Sequence, residues 1–168
     1  KRLQDPASGV SVALLQGGIG DAKMAPQIVS LGRVFLEPVW IFYRGKDPGR
    51  RLSELSGKRV VVGPVGSGTR ALAEVLFKAN NLTAANSRFL DLGSGPGVDA
   101  LLRGEADALV LVVAPSAPMI QQLLRTPDIH LMSLDQADAY TRQFPYLAKV
   151  TVPMGMIDLV GNVPDHDI

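Results

Sequence analysis

The residues best suited to chemistry in this chain are small and neutral. Gly66-Ser67-Gly68-Thr69 follows the apolar stretch Arg59-Val60-Val61-Val62 and opens a helical period. In an open α/β sheet, ligands collect at the carboxyl ends of the strands. A loop of small residues leading into a helix there presents the free N–H groups of the first turn, and Ser67 and Thr69 add two hydroxyls. Such a place suits a carboxylate or a phosphate. An ordinary helix cap has the same look, because Ser and Thr commonly precede helices; both readings stand at this point. The loop is not a Walker motif, since no Lys follows the glycine, and it is not Gly-x-Gly-x-x-Gly.

Weaker candidates surround it. Gly93 to Gly97 is a second Gly-rich turn at the same expected sheet edge, and its plainer reading is a flexible turn. Ala114-Pro115-Ser116-Ala117-Pro118 follows a third strand and is again small and rigid, which makes Ala114 and Pro115 candidates. Gln16 and Gly17 end a first apolar run. The Gln16 amide can hydrogen-bond a ligand, but a polar residue after a strand is also routine.

Other chemistry is excluded by what is lacking. The 168 residues contain no cysteine, so thiolate catalysis and Cys-based zinc sites are out, and the two histidines, His130 and His166, have no metal-ligand spacing. Gly-x-Ser-x-Gly is absent, and neither histidine falls in a Ser-His-Asp pattern. Asp99, Glu105 and Asp107 surround a turn and are expected to face solvent or cap helices. No catalytic residue, metal or cofactor is expected, and the chain is read as a non-enzyme. Net charge is +1 with both signs scattered, which leaves nucleic acid no electrostatic footprint. With 46% hydrophobic residues, the chain can bury a core. Its longest apolar run, Ala106 to Pro118, is broken by Asp107, Pro115 and Ser116 and is too short to span a membrane. The opening Lys1-Arg2-Leu3, with no Met and no apolar leader, reads as a piece excised from a longer protein rather than as a complete mature domain.

These groups need elements to position them. Val10 to Leu15 predicts a buried strand, and residues 19–33 an irregular, Gly- and Pro-punctuated stretch. Arg33 to Arg44 predicts one long extended segment bent at Pro38. From there an alternation sets in. Strand Arg59–Val62 precedes a helix with Ala71, Leu72, Val75, Leu76 and Ala79 on one face. Strand Phe89–Leu92 precedes a short helix marked by Val98, Leu101 and Leu102, with Gly104 where a helix ends. Ala108–Val113 is apolar throughout, as suits a strand covered on both faces. Pro118–Arg125 is a helix, Ile129–Leu134 a strand, and Asp135 with Asp138 begins another helix. Lys149–Val152 and Met156–Val160 predict short strands. Repeated strand-helix-strand units imply an α/β fold with a parallel sheet.

In order along the chain, VALLQGG, LEPVWIFYRG, LSELSGKRVVVGPVGSGTRALAEVL, ALLRGEADALVLVVAPSAP and FPYLAKVTVPMG resemble the TAXI solute-binding proteins, which serve TRAP transporters. The resemblance runs from about Val10 to Gly155. It implies a type II periplasmic-binding-protein-like lobe, with a mainly parallel sheet flanked by helices, plus a fragment of the other lobe. Residues 1–35 would be the partial first lobe and its crossing, 36–155 the second lobe with its hinge strand, and 156–168 a return segment. The implied function is extracytoplasmic receptor for a small carboxylate or amino acid, with TRAP permease subunits as membrane partners. A periplasmic location follows, with membrane anchoring in the whole protein. The ligand-binding residues would be Gln16, Gly17, Gly66, Ser67, Gly68, Thr69, Ala114 and Pro115. DPASGVSV, RFPYL and DLVGNVPDHDI depart from simpler members of that family. A ligand-sensing domain of a membrane signalling protein is the alternative on the same fold. A lone lobe also leaves a face on which two copies of the fragment could pair.

Overall fold

The computed structural model describes residues 2–18, 25–32, 34–46 and 49–168. Among the described residues, five strands form one sheet: β1 (Val39–Arg44), β2 (Arg59–Val61), β3 (Arg88–Leu90), β4 (Ala108–Val112) and β5 (Ile129–Leu131). Their spatial order is β3-β2-β4-β1-β5. β2 is parallel to both β3 and β4, whereas β1 runs antiparallel to β4 and β5. One strand therefore opposes the other four, two of the four ladders are parallel and two antiparallel, and the fold is a mixed α/β sheet flanked by helices.

The α-helices among the described residues are α1 (Gly68–Ala79), α2 (Ser94–Leu102), α3 (Pro118–Arg125) and α4 (Ala137–Gln143). A single crossover hand fixes which face each one covers. α1 carries the chain outward from β2 to β3, whereas α2 returns from β3 across β2 to β4. Reversing direction with the same hand puts the two helices on opposite faces. Accordingly Leu72, Ala73, Leu76 and Phe77 of α1 pack with Val60, Val62, Ile41 and Val110. Val98 and Leu101 of α2 pack on the other face with Val61, Leu109, Leu111, Trp40 and Phe42. α3 continues in the direction of α2 and joins that face through Ile120 and Leu123. Strand residues alternate between the two cores, as a period of two requires. All five residues of β4 are buried, because β4 lies inside the sheet with a helical layer on each side.

Several expectations are corrected. Val10–Leu15 is not a strand; it lies outside the sheet with Val12 70% and Leu14 78% exposed. Apolar content makes a strand only where a ladder partner exists. The long extended segment enters the sheet only at Val39, one residue after Pro38, which has no N–H for a ladder. Arg33 and residues 19–24 of the irregular stretch lie outside the described residues. α2 begins four residues before Val98, so the second Gly-rich turn is its first turn; Pro96 is tolerated there because first-turn N–H groups have no intrahelical partner. β5 ends at Leu131 rather than Leu134, and α4 starts after Gln136 with no side-chain cap. Lys149–Val152 and Met156–Val160 form no strands. Instead Val152 and Ile168 exchange two backbone hydrogen bonds of 2.9 and 3.0 Å, and Asp158 makes an isolated bridge to Val163.

Candidate functional site

The helix faces locate a crevice. The connection leaving β2 goes to one side of the sheet and those leaving β3 and β4 go to the other, so the chain parts at the carboxyl end of β2. A gap opens at such a switch point, and ligands of open α/β sheets bind there. A cleft of about 180 Å³ occupies this place. Gly63, Pro64, Ser67 and Thr69 form one wall, Leu92, Gly93 and Ser94 the other, and Leu109, Val110 and Leu111 of β4 also line it.

The walls are set by local chemistry. Ser67 is extended (φ −78°, ψ 154°), and its Oγ accepts a hydrogen bond of 3.1 Å from the Arg70 N–H, which fixes the start of α1. Gly63 sits at φ +86°, and a Cβ there would lie 2.9 Å from Ser67 Oγ; both conformation and close approach demand glycine. Gly93 precedes the first turn of α2, and Ser94 opens it. Two helix N-termini, from opposite faces of the sheet, thus meet across the cleft with three hydroxyls between them. Each terminus carries partial positive charge, and the side chains that line the cleft are neutral. The arrangement can hold a small anionic group by N–H and O–H donation without a full cation.

At the rim, Arg70 binds Glu74 (2.5 Å) and Asp91, tying the first turn of α1 to the residue after β3. The bond to Glu74, followed by that to Asp91 and opposed by desolvation, holds the Arg70 guanidinium above its ordinary pKa. Arg70 is consequently a neutralised cation that braces the two walls.

Of the sequence-derived candidates, Ser67 and Thr69 line the cleft. Gly68 lies between them, and Gln16 packs on it: a Cβ at Gly68 would meet Gln16 Oε1 at 3.1 Å. Gly66 shapes the turn, with φ +86°. Gly17 faces Tyr146 beside the outer surface of α1 rather than the cleft. Ala114 and Pro115 are not among the lining residues; they form the turn into α3, where the Ala117 N–H donates to Ala114 O (3.0 Å) and Gln121 Nε2 to Pro115 O (3.4 Å). The sequence marks the Gly93–Gly97 turn, which holds Ser94, only as a weaker candidate at this edge, and it does not single out Leu92 or Gly63; all three line the cleft. Ser94 was detectable as a hydroxyl after strand Phe89–Leu92, but the glycines and Pro96 disguised a helix start as a loop.

Among the described residues, no acid-base constellation assembles. Asp107 does not simply face solvent, since its carboxylate accepts from the Arg59 backbone (2.7 Å) and guanidinium (2.6 and 3.1 Å) at the opposite end of the sheet. His130 tilts against Tyr43, and His166 contacts Asp165. Among the described residues, no group of three or more metal-capable side chains gathers, and no helix is long and apolar enough to cross a membrane.

With this geometry in hand, comparison with known proteins places the chain. The profile of the NMT1-like family matches residues 17–165, and the chain belongs to that family. Solved structures overlap it in part. The periplasmic aliphatic sulphonate-binding protein SsuA of Escherichia coli aligns over 61% of this chain and 35% of its own, at 19% identity and TM-score 0.48. The alkanesulfonate-binding protein SsuA of Xanthomonas axonopodis pv. citri, bound to MOPS, aligns over 64% and 40%, at 18% identity and TM-score 0.47. AbpA of Streptococcus pneumoniae, an amino acid ABC transporter substrate-binding protein bound to L-arginine, aligns over 60% and 39%, at 19% identity and TM-score 0.45. The alignment thus takes in well under half the length of each of these proteins.

Proposed function

We propose that this chain is the ligand-holding lobe of an extracytoplasmic solute-binding receptor, of the TAXI kind that serves TRAP-type secondary transporters, and that it takes a small carboxylate or amino acid. The observation that carries the reading is the meeting of the α1 and α2 N-termini, with Ser67, Thr69 and Ser94, at the switch point of the sheet. The site is built for binding rather than turnover: it offers donors for an anion and no residue positioned to move a proton or attack a bond. Gln16 and Gly66–Thr69 belong to the site. Ala114 and Pro115 stand at the same sheet edge, where closure of a second lobe would bring them to the ligand. Residues 1–35 belong to that other lobe. Their exposed apolar side chains, among them Val12, Leu14, Leu15, Leu31 and Phe35, are what a lobe would cover. The receptor would work in the periplasm, anchored to the membrane and handing its solute to permease subunits.

The test is ligand-induced thermal stabilisation against L-glutamate, L-arginine, succinate, acetate and taurine, on this chain and on the natural gene product. A ligand at one hundred times its Kd stabilises by about 2.7 kcal/mol, which raises the midpoint by roughly 5–10 °C in a domain of this size. The Ser67→Ala/Thr69→Ala double variant should lose that increment. Ser67→Ala lowers the unliganded midpoint too, through loss of the helix cap, so the comparison is of ligand-induced shifts. An increment that survives both substitutions would place the ligand elsewhere. No increment with any compound on the folded natural polypeptide would sink the receptor reading.

A further inference from the structure

We infer that Tyr146 is a positioning residue for the site: its ring buckles the strap Gln16-Gly17-Gly18 to the flank of α1 and so holds Gln16 beside the cleft. The consequence for ligand binding rests on the receptor reading; the buckle itself does not. Tyr146 follows α4 in a tight turn, where the Phe144 N–H donates to Tyr140 O and the Leu147 N–H to Phe144 O, both at 2.8 Å. Its ring is further set by Phe144, with centroids 6.0 Å apart.

The ring lies directly on the strap. A Cβ at Gly18 would fall 2.5 Å from two ring carbons, and one at Gly17 would fall 3.8 Å from the ring. Gly18 also stands at φ +83°, so glycine is required there twice over, by backbone conformation and by the ring. Beneath them a crevice about one water molecule in size is lined by Gly17, Gly18, Tyr146 and the α1 residues Ala71, Leu72 and Val75. At the strap's other end, Gln16 rests on the bare Cα of Gly68, which has an ordinary φ and is glycine for close approach alone. The strap is thus gripped at 16 by α1 and at 17–18 by Tyr146. Two adjacent glycines are the most entropically costly residues to fix, so Gln16 stays in place only if something pins the pair. A residue some 130 positions away in sequence supplies the pin, which no local motif announces.

The chain has no cysteine, so a single one introduced at Gln16→Cys reports the strap without background. Its reaction rate with an aromatic disulfide reagent is compared in four backgrounds: unchanged, Tyr146→Phe, Tyr146→Ala and Gly18→Ala. Tyr146→Phe keeps the ring and should keep the slow rate. Tyr146→Ala and Gly18→Ala should each react about fivefold faster or more, as a local opening does. Gly18→Ala removes no buried side chain, so it still tests the buckle even if Tyr146→Ala fails to fold. Equal rates in the unchanged and Gly18→Ala backgrounds overturn the buckle. The thermal-shift panel is then run on the same substitutions with Gln16 intact. A compound that stabilises the parent should bind more weakly to Tyr146→Ala but not to Tyr146→Phe, and equal binding to all overturns the positioning role. The expected thiol rates with no response to any panel compound would leave the buckle standing and remove the receptor reading beneath it.

Discussion

Two apolar regions of this molecule meet opposite fates. β1 and β4 bury almost every side chain, Phe42 to 0% exposure, while residues 10–36 hold Val12, Leu14, Val29, Leu31 and Phe35 out to solvent, Leu31 at 85%. The two regions have similar residue types. They differ in partners: β4 has β2 on one side, β1 on the other, and helices above and below. Among the described residues of the N-terminal region, Gln16 and Gly18 lie against Gly68 and Tyr146 of the body. Hydrophobicity supplies a driving force for burial, and topology decides whether it is used.

Truncation should separate the regions sharply. Phe42→Ala removes a fully buried ring from the face covered by α2 and α3, and should cost about 3–5 kcal/mol in urea unfolding. Leu31→Ala should change stability by less than about 0.5 kcal/mol. A comparable loss from both would mean that the N-terminal region is packed, and the contrast would collapse.

A finer cut lies within α2. Gly97 presses on the sheet, and a Cβ there would meet Val61 Cγ1 at 2.9 Å and Leu109 Cδ1 at 3.0 Å. Gly97→Ala should therefore destabilise by about 1–2 kcal/mol, since overpacking outweighs the gain in helix propensity. Gly95→Ala, two residues away where a Cβ meets nothing, should be neutral or stabilise by up to about 1 kcal/mol. Equal responses at the two positions would show that α2 does not lean on β2 and β4 so tightly.

Much of the covered region was legible in the sequence, for identifiable reasons. The unbroken apolar ALVLV announced a strand buried on both faces, and Pro118 and Gly104 marked a helix start and a helix end. Ser67 and Thr69 could be placed because their loop stands between a clear strand and a clear helix. Ser94 lay inside a weaker candidate turn and was not singled out, because Gly95-Pro96-Gly97 has loop composition although it forms the first turn of a helix whose Gly97 packs against Val61 and Leu109. The placement of Gln16 against Gly68, and of Tyr146 on Gly18, depends on contacts between distant parts of the chain. Val10–Leu15 misled for the converse reason: its pattern is that of a strand, and no pattern states that a partner is present.

A modest effect is expected at the end of the sheet opposite the cleft. Asp107 joins the starts of β2 and β4, accepting three hydrogen bonds from Arg59, while Arg59 also donates to Gly104 O at 2.8 Å. The hydrogen bond from the Arg59 side chain, opposed by desolvation and helped by the Arg59 backbone N–H, holds Asp107 below the ordinary aspartate range. A carboxylate depressed in the folded state gives stability that is fully present above its unfolded pKa. That stability is lost as pH falls through the folded value, where the folded chain takes up the proton that the unfolded chain already holds. The pair is about one-third exposed at both ends, so its worth is modest. Asp107→Asn should lower the thermal midpoint at neutral pH by roughly 3 °C. In acid the two curves should converge, because the parent loses what the variant never had. Curves that run parallel from neutral pH down through the aspartate range would mean that the Arg59–Asp107 contact holds the sheet by shape and hydrogen bonding, with no contribution from charge.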